Sequence, residues 1–270
     1  MSEIEGAAAA AAWDEPAGAT PRGTLVLLPG RGESPAVYQR FGRRLSADAY
    51  RVRLVPVDPY DPDDVDRART DVEKLLVGES LPGPKVLVGS DTGATLAALW
   101  ASEVAADAVV LAGLALPGAE AGTGVGAAPG AGPGASWDDE LEGRSACPVH
   151  RAVLQSDPDF RRGALGRPLP WRSVVLEAPS RPVLVLHGTA DRVTAAHDAV
   201  AAYLSSPLAR VRLVEGGRHD VLNDVAHRSV AAVLVLFLES LRLGSGLPAV
   251  VTQAAHRLTT TTGDPRWESR

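Results

Sequence analysis

Cysteine is almost missing from this chain. Cys147 is the single one in 270 residues, so neither an intrachain disulfide framework nor a cysteine metal cluster can form. Lysine is nearly absent too, with only Lys74 and Lys85, while Arg and Ala abound, a bias typical of GC-rich coding. There is no excess of positive charge: 27 Lys+Arg face 33 Asp+Glu, for a formal net charge of −6. That balance argues against nucleic acid and anionic membrane as main partners, because neither would be steered toward an acidic surface. No apolar run approaches the roughly 18 residues of a membrane span. The start, Met1-Ser2-Glu3-Ile4-Glu5, is acidic and the following Ala run is short, so no secretory signal is expected. Aromatics make up 4% of the chain and offer no obvious recognition cage. No metal-ligand spacing occurs among the six histidines and the acidic residues, so neither metal nor other cofactor is expected. The expectation is a soluble, cytoplasmic protein whose partner is a small molecule, with one domain burying roughly 73% of its unfolded surface. Oligomeric state is left open.

The hydrophobic pattern alternates between two periods. Gly23 to Gly30 is an apolar run closed by a turn, which predicts a strand buried on both faces. Further strands are predicted at Tyr50 to Val57, Lys85 to Ser90, Val109 to Leu116, Arg181 to His187 and Val211 to Glu215. Helical spacing occupies Pro35 to Ser46, Pro62 to Val77, Thr92 to Glu103, Ala195 to Leu204 and Asp220 to Leu241. Strands and helices in this alternation predict an α/β fold with a mostly parallel sheet. The core is expected over residues 23–116 and 181–242, flanked by an N-terminal segment, 1–22, and a loosely attached tail, 243–270, with Thr259 to Thr262.

One interval breaks the alternation. Residues 117–180 open with the Gly/Ala/Pro-rich stretch Pro117 to Ser136 and continue with Trp137, Arg144, Cys147, His150, Arg151, Phe160 and Trp171. An insertion of this length predicts a cap or lid, its small-residue part a hinge and its aromatic and basic part a cover over a site. The bland alternative is a surface excursion.

The junction Gly89-Ser90-Asp91-Thr92-Gly93 joins a buried strand to a helix in a small-x-nucleophile-x-small pattern. A turn this tight leaves no room for side chains two places before and after its exposed residue. Centred on Asp91, the pattern finds Gly89 and Gly93 at those places; centred on Ser90, it finds Val88 and Thr92, both β-branched. The register therefore selects Asp91. By itself a strand-end Asp is more often a helix N-cap, and a His before a helix a surface residue.

Together these features resemble the α/β-hydrolase superfamily, over roughly Gly23 to Leu241. The resemblance implies the α/β-hydrolase fold and a nucleophile followed by an acid and then a histidine. His187-Gly188-Thr189-Ala190-Asp191 is similar to the acid turn, which implies Asp191 as orienting acid. Glu215-Gly216-Gly217-Arg218-His219-Asp220 is similar to the histidine loop, which implies His219 as base. Pro29-Gly30-Arg31-Gly32-Glu33 with Tyr38 is similar to the oxyanion turn of monoacylglycerol-lipase-like members, which implies an oxyanion hole from the backbone N–H groups of Arg31 and Thr92. His187 is expected to pack at a strand end, and no role is expected for His197, His227 or His256.

A carboxylate nucleophile is already ionised at pH 7 and can displace a leaving group or open an epoxide at an sp³ carbon. Attack on an ordinary ester would instead give a mixed anhydride. The Asp at the elbow is similar to that of epoxide hydrolases and haloalkane dehalogenases, which implies an alkyl ester hydrolysed by His219-activated water. Two departures stand out: Thr92 replaces the Trp that usually follows the nucleophile in dehalogenases, and no cap tyrosine occurs between Pro117 and Ser180. A leaving-group donor is therefore sought among Trp137, His150, Arg151, Trp171 and Tyr38. Three further readings remain: an Asp/His general acid-base catalyst of a non-hydrolytic step, an esterase or lysophospholipase-like hydrolase, and a non-catalytic ligand-binding module. A nucleotide-binding reductase is disfavoured because Pro35 stands where the third glycine belongs.

Overall fold

The computed structural model describes residues 9–117, 135–177 and 179–252. Most of the expected hinge, the tail with His256 and Thr259 to Thr262, and the first eight residues lie outside the described residues. Among the described residues, seven strands form one sheet: β1 (Ala11–Trp13), β2 (Gly23–Leu28), β3 (Tyr50–Leu54), β4 (Lys85–Ser90), β5 (Ala108–Ala112), β6 (Val183–Gly188) and β7 (Ala209–Val214), in the order β1-β3-β2-β4-β5-β6-β7. The last six run parallel to one another. Each matches a predicted strand within a few residues.

Helices α1 (Gln39–Ala47), α2 (Pro62–Val77), α3 (Thr92–Trp100), α4 (Trp137–Arg144), α5 (Pro148–Ser156), α6 (Ala196–Val200) and α7 (His227–Leu243) and three short 3-10 turns (Pro35–Tyr38, Ala164–Gly166 and Ala201–Tyr203) complete the described elements. β2 explains the layering. All six of its residues are buried, and alternate side chains point to opposite faces. Leu25 and Leu27 meet Phe41 and Leu45 of α1 and Phe237 and Leu238 of α7. Val26 and Leu28 meet Val72 and Leu75 of α2 and Ala94 and Ala97 of α3. Helix α2 starts where the sequence indicates: Asp61 accepts the Asp63 N–H at 3.1 Å, with Pro62 in the first turn.

Two elements differ from expectation. β1, inside the predicted N-terminal segment, pairs antiparallel with β3. Three residues of Ala-Ala-Trp carry no readable period; tertiary docking makes the strand. The Trp13 ring packs flat on Gly42 of α1, and its Nε1 donates to Gln39 Oε1 at 3.2 Å. Helix α7 begins at His227 rather than Asp220, because residues 220–226 are held in a turn by Asp224. Its Oδ1 accepts the Ser145 hydroxyl and the Ala146 N–H, each at 2.8 Å, and its Oδ2 accepts the Arg218 N–H at 2.8 Å. These partners lie up to 79 residues away, beyond the reach of a local pattern.

The described part of the insertion, 135–177, packs into the core. Leu141, Leu154 and Phe160 join the layer of α1 and α7, and Ser136 and Asp139 form a capping box at the start of α4. It also binds the turn after β2: Arg161 N–H donates to Gly32 O at 2.9 Å. This region thus lies over the carboxyl ends of the strands.

Gly42 offers a direct test of the β1 docking. In an open helix Gly→Ala would gain about 1 kcal/mol, but a Cβ here would stand 2.2 Å from Trp13 Cδ2. Gly42→Ala is expected to destabilise the protein by about 1–3 kcal/mol, and adding Trp13→Ala to remove that penalty. Denaturant unfolding of the single and double variants checks this; an additive double variant would contradict it.

Candidate active site

Four loops at the carboxyl ends of β2, β4, β6 and β7 converge where the strand order reverses, between β2 and β4. Asp91 follows β4 with φ 51° and ψ −120°, a backbone region that side chains occupy only at a cost of about 1–3 kcal/mol. The glycines around it have no alternative. A Cβ at Gly89 would stand 2.2 Å from Gly93 O, and one at Gly93 would stand 2.4 Å from Leu28 O. The Asp91 side chain accepts no main-chain N–H from the first turn of α3, so it is not an ordinary helix cap. Ser90 is the last residue of β4 and is buried.

The Asp91 carboxylate is bracketed on both oxygens. Oδ1 lies 3.0 Å from His219 Nε2 and accepts Arg31 Nη2 at 2.9 Å. Oδ2 accepts Arg31 Nε at 2.9 Å and the Arg31 main-chain N–H at 2.7 Å. His219 Nδ1 lies 2.8 Å from Asp191 Oδ2, and Asp191 Oδ1 accepts the N–H groups of Val193 at 2.8 Å and Thr194 at 3.2 Å. The three residues selected in the sequence are therefore brought together. Thr92, by contrast, places its hydroxyl 3.5 Å from Asp91 Oδ2. The exposures of Asp91, His219 and Arg31 are only 1%, 1% and 3%, so the charges compensate one another away from water.

Burial by itself would raise the Asp91 pKa; the Arg31 guanidinium and His219 outweigh it and hold the carboxyl well below the usual range. Asp191 is likewise lowered, against burial, by His219 and His187. For His219 burial would favour the neutral ring, but Asp191 and Asp91 push its pKa up to about 10. With a carboxylate at each ring nitrogen, His219 rests as an imidazolium.

Some neighbours were not legible in the sequence. The Arg31 side chain is one: the sequence pattern points only to its main-chain N–H, and the guanidinium meets Asp91 from 60 residues away. His187 is another, its Nε2 standing 3.0 Å from Asp191 Oδ2 and 2.9 Å from Thr194 O; it supports the acid as well as packing. Tyr60 lies beside the Arg31 guanidinium and within the field of Asp91, and its buried hydroxyl makes no well-formed hydrogen bond. A further buried cluster surrounds Arg144, which binds Glu140 Oε1 at 3.1 Å and donates to Arg31 O at 2.9 Å. It also approaches Glu33 at 3.4 Å and Asp220 at 3.5 Å. Glu33 has its pKa raised to about 7, by burial and then by Asp220, against the pull of Arg144.

The predicted cap residues scatter. His150 Nε2 lies 2.8 Å from Asp220 Oδ2, one residue from His219. Arg151 bonds Ser145 O at 2.6 Å and Glu142 at the surface. Trp137 packs on Phe160, ring centroids 5.6 Å apart, beneath the Arg162 guanidinium. Trp171 rests against the layer of α2 and α3, and Tyr38 donates to Glu33. None of these five bonds the Asp91 carboxylate, because long-range packing turned each toward a different partner. A cleft of about 650 Å³, lined in part by Glu33, Tyr60, Arg161 and Arg167, adjoins Arg31, whose Nη1 donates to Arg167 O at 3.1 Å. No group of three or more metal-ligating side chains is found among the described residues, nor any helix long and apolar enough to cross a membrane.

The profile of the alpha/beta hydrolase family matches residues 25–233. The structure is similar to a monoacylglycerol lipase from Paleococcus ferrophilus, with TM-score 0.63 and 19% identity over 85% of this chain and 97% of that one. It is also similar to a soluble variant of monoglyceride lipase from Saccharomyces cerevisiae, with TM-score 0.62 and 15% identity over 84% and 90%. An esterase from a Rhodococcus species gives TM-score 0.56 and 24% identity over 81% and 91%. Likeness at these identities carries the fold and not the reaction. No protein of curated function matches the sequence.

The paired His219 makes stability depend on pH. Its folded pKa of about 10 lies above the usual 6.5, so the stabilisation is complete below about pH 6.5 and is lost as pH rises toward 10, on the order of a few kcal/mol. Thermal unfolding at pH 6, 8 and 10 is expected to show a decline that flattens in His219→Gln. An equal decline in both proteins would contradict the imidazolium.

Proposed function

Because the chain belongs to the alpha/beta hydrolase family and is a hydrolase on that ground, we propose that it opens a small, largely apolar electrophile such as an epoxide through covalent attack by Asp91. The carrying observation is the ionised carboxylate on a strained turn with His219 on one oxygen at 3.0 Å and Asp191 behind the ring. In the first step an Asp91 oxygen bonds to an sp³ carbon as the carbon–oxygen bond of the epoxide breaks. The new alkoxide takes the Nε2 proton of His219. This answers the missing cap tyrosine: the acid is already charged in the resting site.

Ester formation removes one of the two carboxylates that keep the proton on His219, so its affinity for that proton falls. The neutral ring then takes a proton from water, and the hydroxide attacks the Asp91 ester carbonyl. The N–H groups of Arg31 and Thr92 hold the developing oxyanion. On collapse the second water proton leaves with the alcohol, and carboxylate and imidazolium are restored. Ordinary esters fit poorly, because the acyl intermediate on Asp91 would be an anhydride. The described part of the insertion, 135–177, acts in this reading as a cap over the site, with Arg31 drawing back toward the Tyr60–Arg167 cleft to free the carboxylate.

The Arg31 bracket favours one other reading. If the guanidinium keeps both oxygens, Asp91 cannot attack, and Asp91 with His219 moves protons in a non-hydrolytic step.

One experiment separates them: a panel of epoxides, haloalkanes and esters, turned over in ¹⁸O-water, followed by peptide mapping. Covalent hydrolysis is expected to place ¹⁸O in Asp91. His219→Gln is expected to accumulate a mass adduct there while kcat falls roughly a thousandfold; Asp91→Asn is expected to be inactive and Ser90→Ala to stay within about twofold of wild type. An adduct on Ser90 would overturn the register and restore an esterase. Turnover with neither label nor adduct would leave the acid-base reading.

A further inference from the structure

A second cavity, of about 540 Å³, lies between α1, α5 and the first turn of α7, and none of Arg31, Asp91, Asp191 and His219 lines it. Its walls are apolar, with Val37, Val149 and Val153 among them, and Val149 is 61% exposed in the free chain. Six groups of positive or ionisable character ring it: Arg40, Arg43, Arg44, His150, His227 and Arg228, of which His150 is already bonded to Asp220 at 2.8 Å. No Asp or Glu lines it, in a chain whose net charge is −6.

These cations are poorly compensated. Arg44 reaches Asp48 only at 3.8 Å, Arg40 donates to the Asn223 carbonyl, and Arg43 and Arg228 make no ion pair among the described residues. Their field is felt inside the cavity: His227 gains its proton less readily than usual, first through burial and then through Arg40, Arg228 and Arg44. The 17-residue helix α7 opens there without a side-chain cap, which adds unpaired N–H groups and the positive end of its dipole. Asn223, which also lines the cavity, is buried and its Oδ1 has no partner.

Apolar walls alone would suit any hydrocarbon, but exposed and half-buried arginines with no acid among them set up a positive potential that draws an anion to the rim. The volume is that of a small-molecule site. We propose that this groove binds a free medium-chain carboxylate, its hydrocarbon chain along Val37, Val149 and Val153 and its carboxylate between Arg43 and Arg228.

Calorimetric titration of the full chain with decanoate tests this. Saturable one-to-one binding is expected, with acetate failing to bind. Arg43→Glu/Arg228→Glu is expected to weaken binding roughly tenfold or more, and Val149→Asp to weaken it too. His219→Gln, whose side chain does not line the groove, is expected to leave binding unchanged. Arg43→Gln/Arg228→Gln serves if charge reversal impairs folding, judged by thermal unfolding. Binding insensitive to both double variants, or equal binding of acetate, would overturn the proposal. So would co-sedimentation with phosphatidylglycerol vesicles without binding of soluble decanoate, which would make the groove a membrane contact instead.

Discussion

A carboxylate buried at the end of β4 is tolerated only if it is paired and hydrogen-bonded, and most of the polar architecture answers that requirement for Asp91. Arg31, Asp91, His219 and Asp191 follow one another as alternating charges, each in direct contact with the next. Removing any one would strand a neighbour, at a cost of about 3–5 kcal/mol for a pair of this kind. The same interaction sets the protonation of His219 and the low pKa of Asp91. It also ties the turn after β2 to the turn after β4.

The backbone of the site is constrained as tightly as its charges. Asp91 can hold its strained conformation only because Gly89 and Gly93 let two main-chain segments approach with no room for a Cβ. Gly113, at φ 55°, does the same beneath the histidine loop, where a Cβ would stand 2.3 Å from His219 O. The insertion then closes over this frame through Arg144, which joins Glu140, Glu33 and Asp220 to the carbonyl of Arg31. A shift of Arg31 would therefore be felt in the insertion.

Reactivity in such a site is a matter of balance. A carboxylate with both oxygens bound by a guanidinium is a subdued nucleophile, and an imidazolium between two carboxylates is a poor base. The second condition would reverse once Asp91 was esterified, since one negative charge would disappear and His219 would keep only Asp191 as an anionic partner. The closed arrangement is thus compatible with a reaction in which the first step creates the base for the second.

What the sequence determined by itself was whatever depends on neighbours a few residues apart. Apolar runs and helical spacing located six parallel strands. Paired glycines centred the elbow on Asp91 rather than Ser90, and the order of Asp91, Asp191 and His219 matched their meeting in space. These signals are local because backbone sterics and burial periodicity act over a few residues. The tertiary structure alone decided which way long side chains turned and what they met. It sent the Arg31 guanidinium onto Asp91, put His150 on Asp220, and scattered Trp137, Arg151 and Trp171 to packing and surface contacts. It also made a strand of Ala11–Trp13 by seating Trp13 on Gly42, and held α7 back to His227 through Asp224. Each of these outcomes is a contact between residues far apart in the chain, where flexible side chains have several partners within reach and only the packed fold selects one.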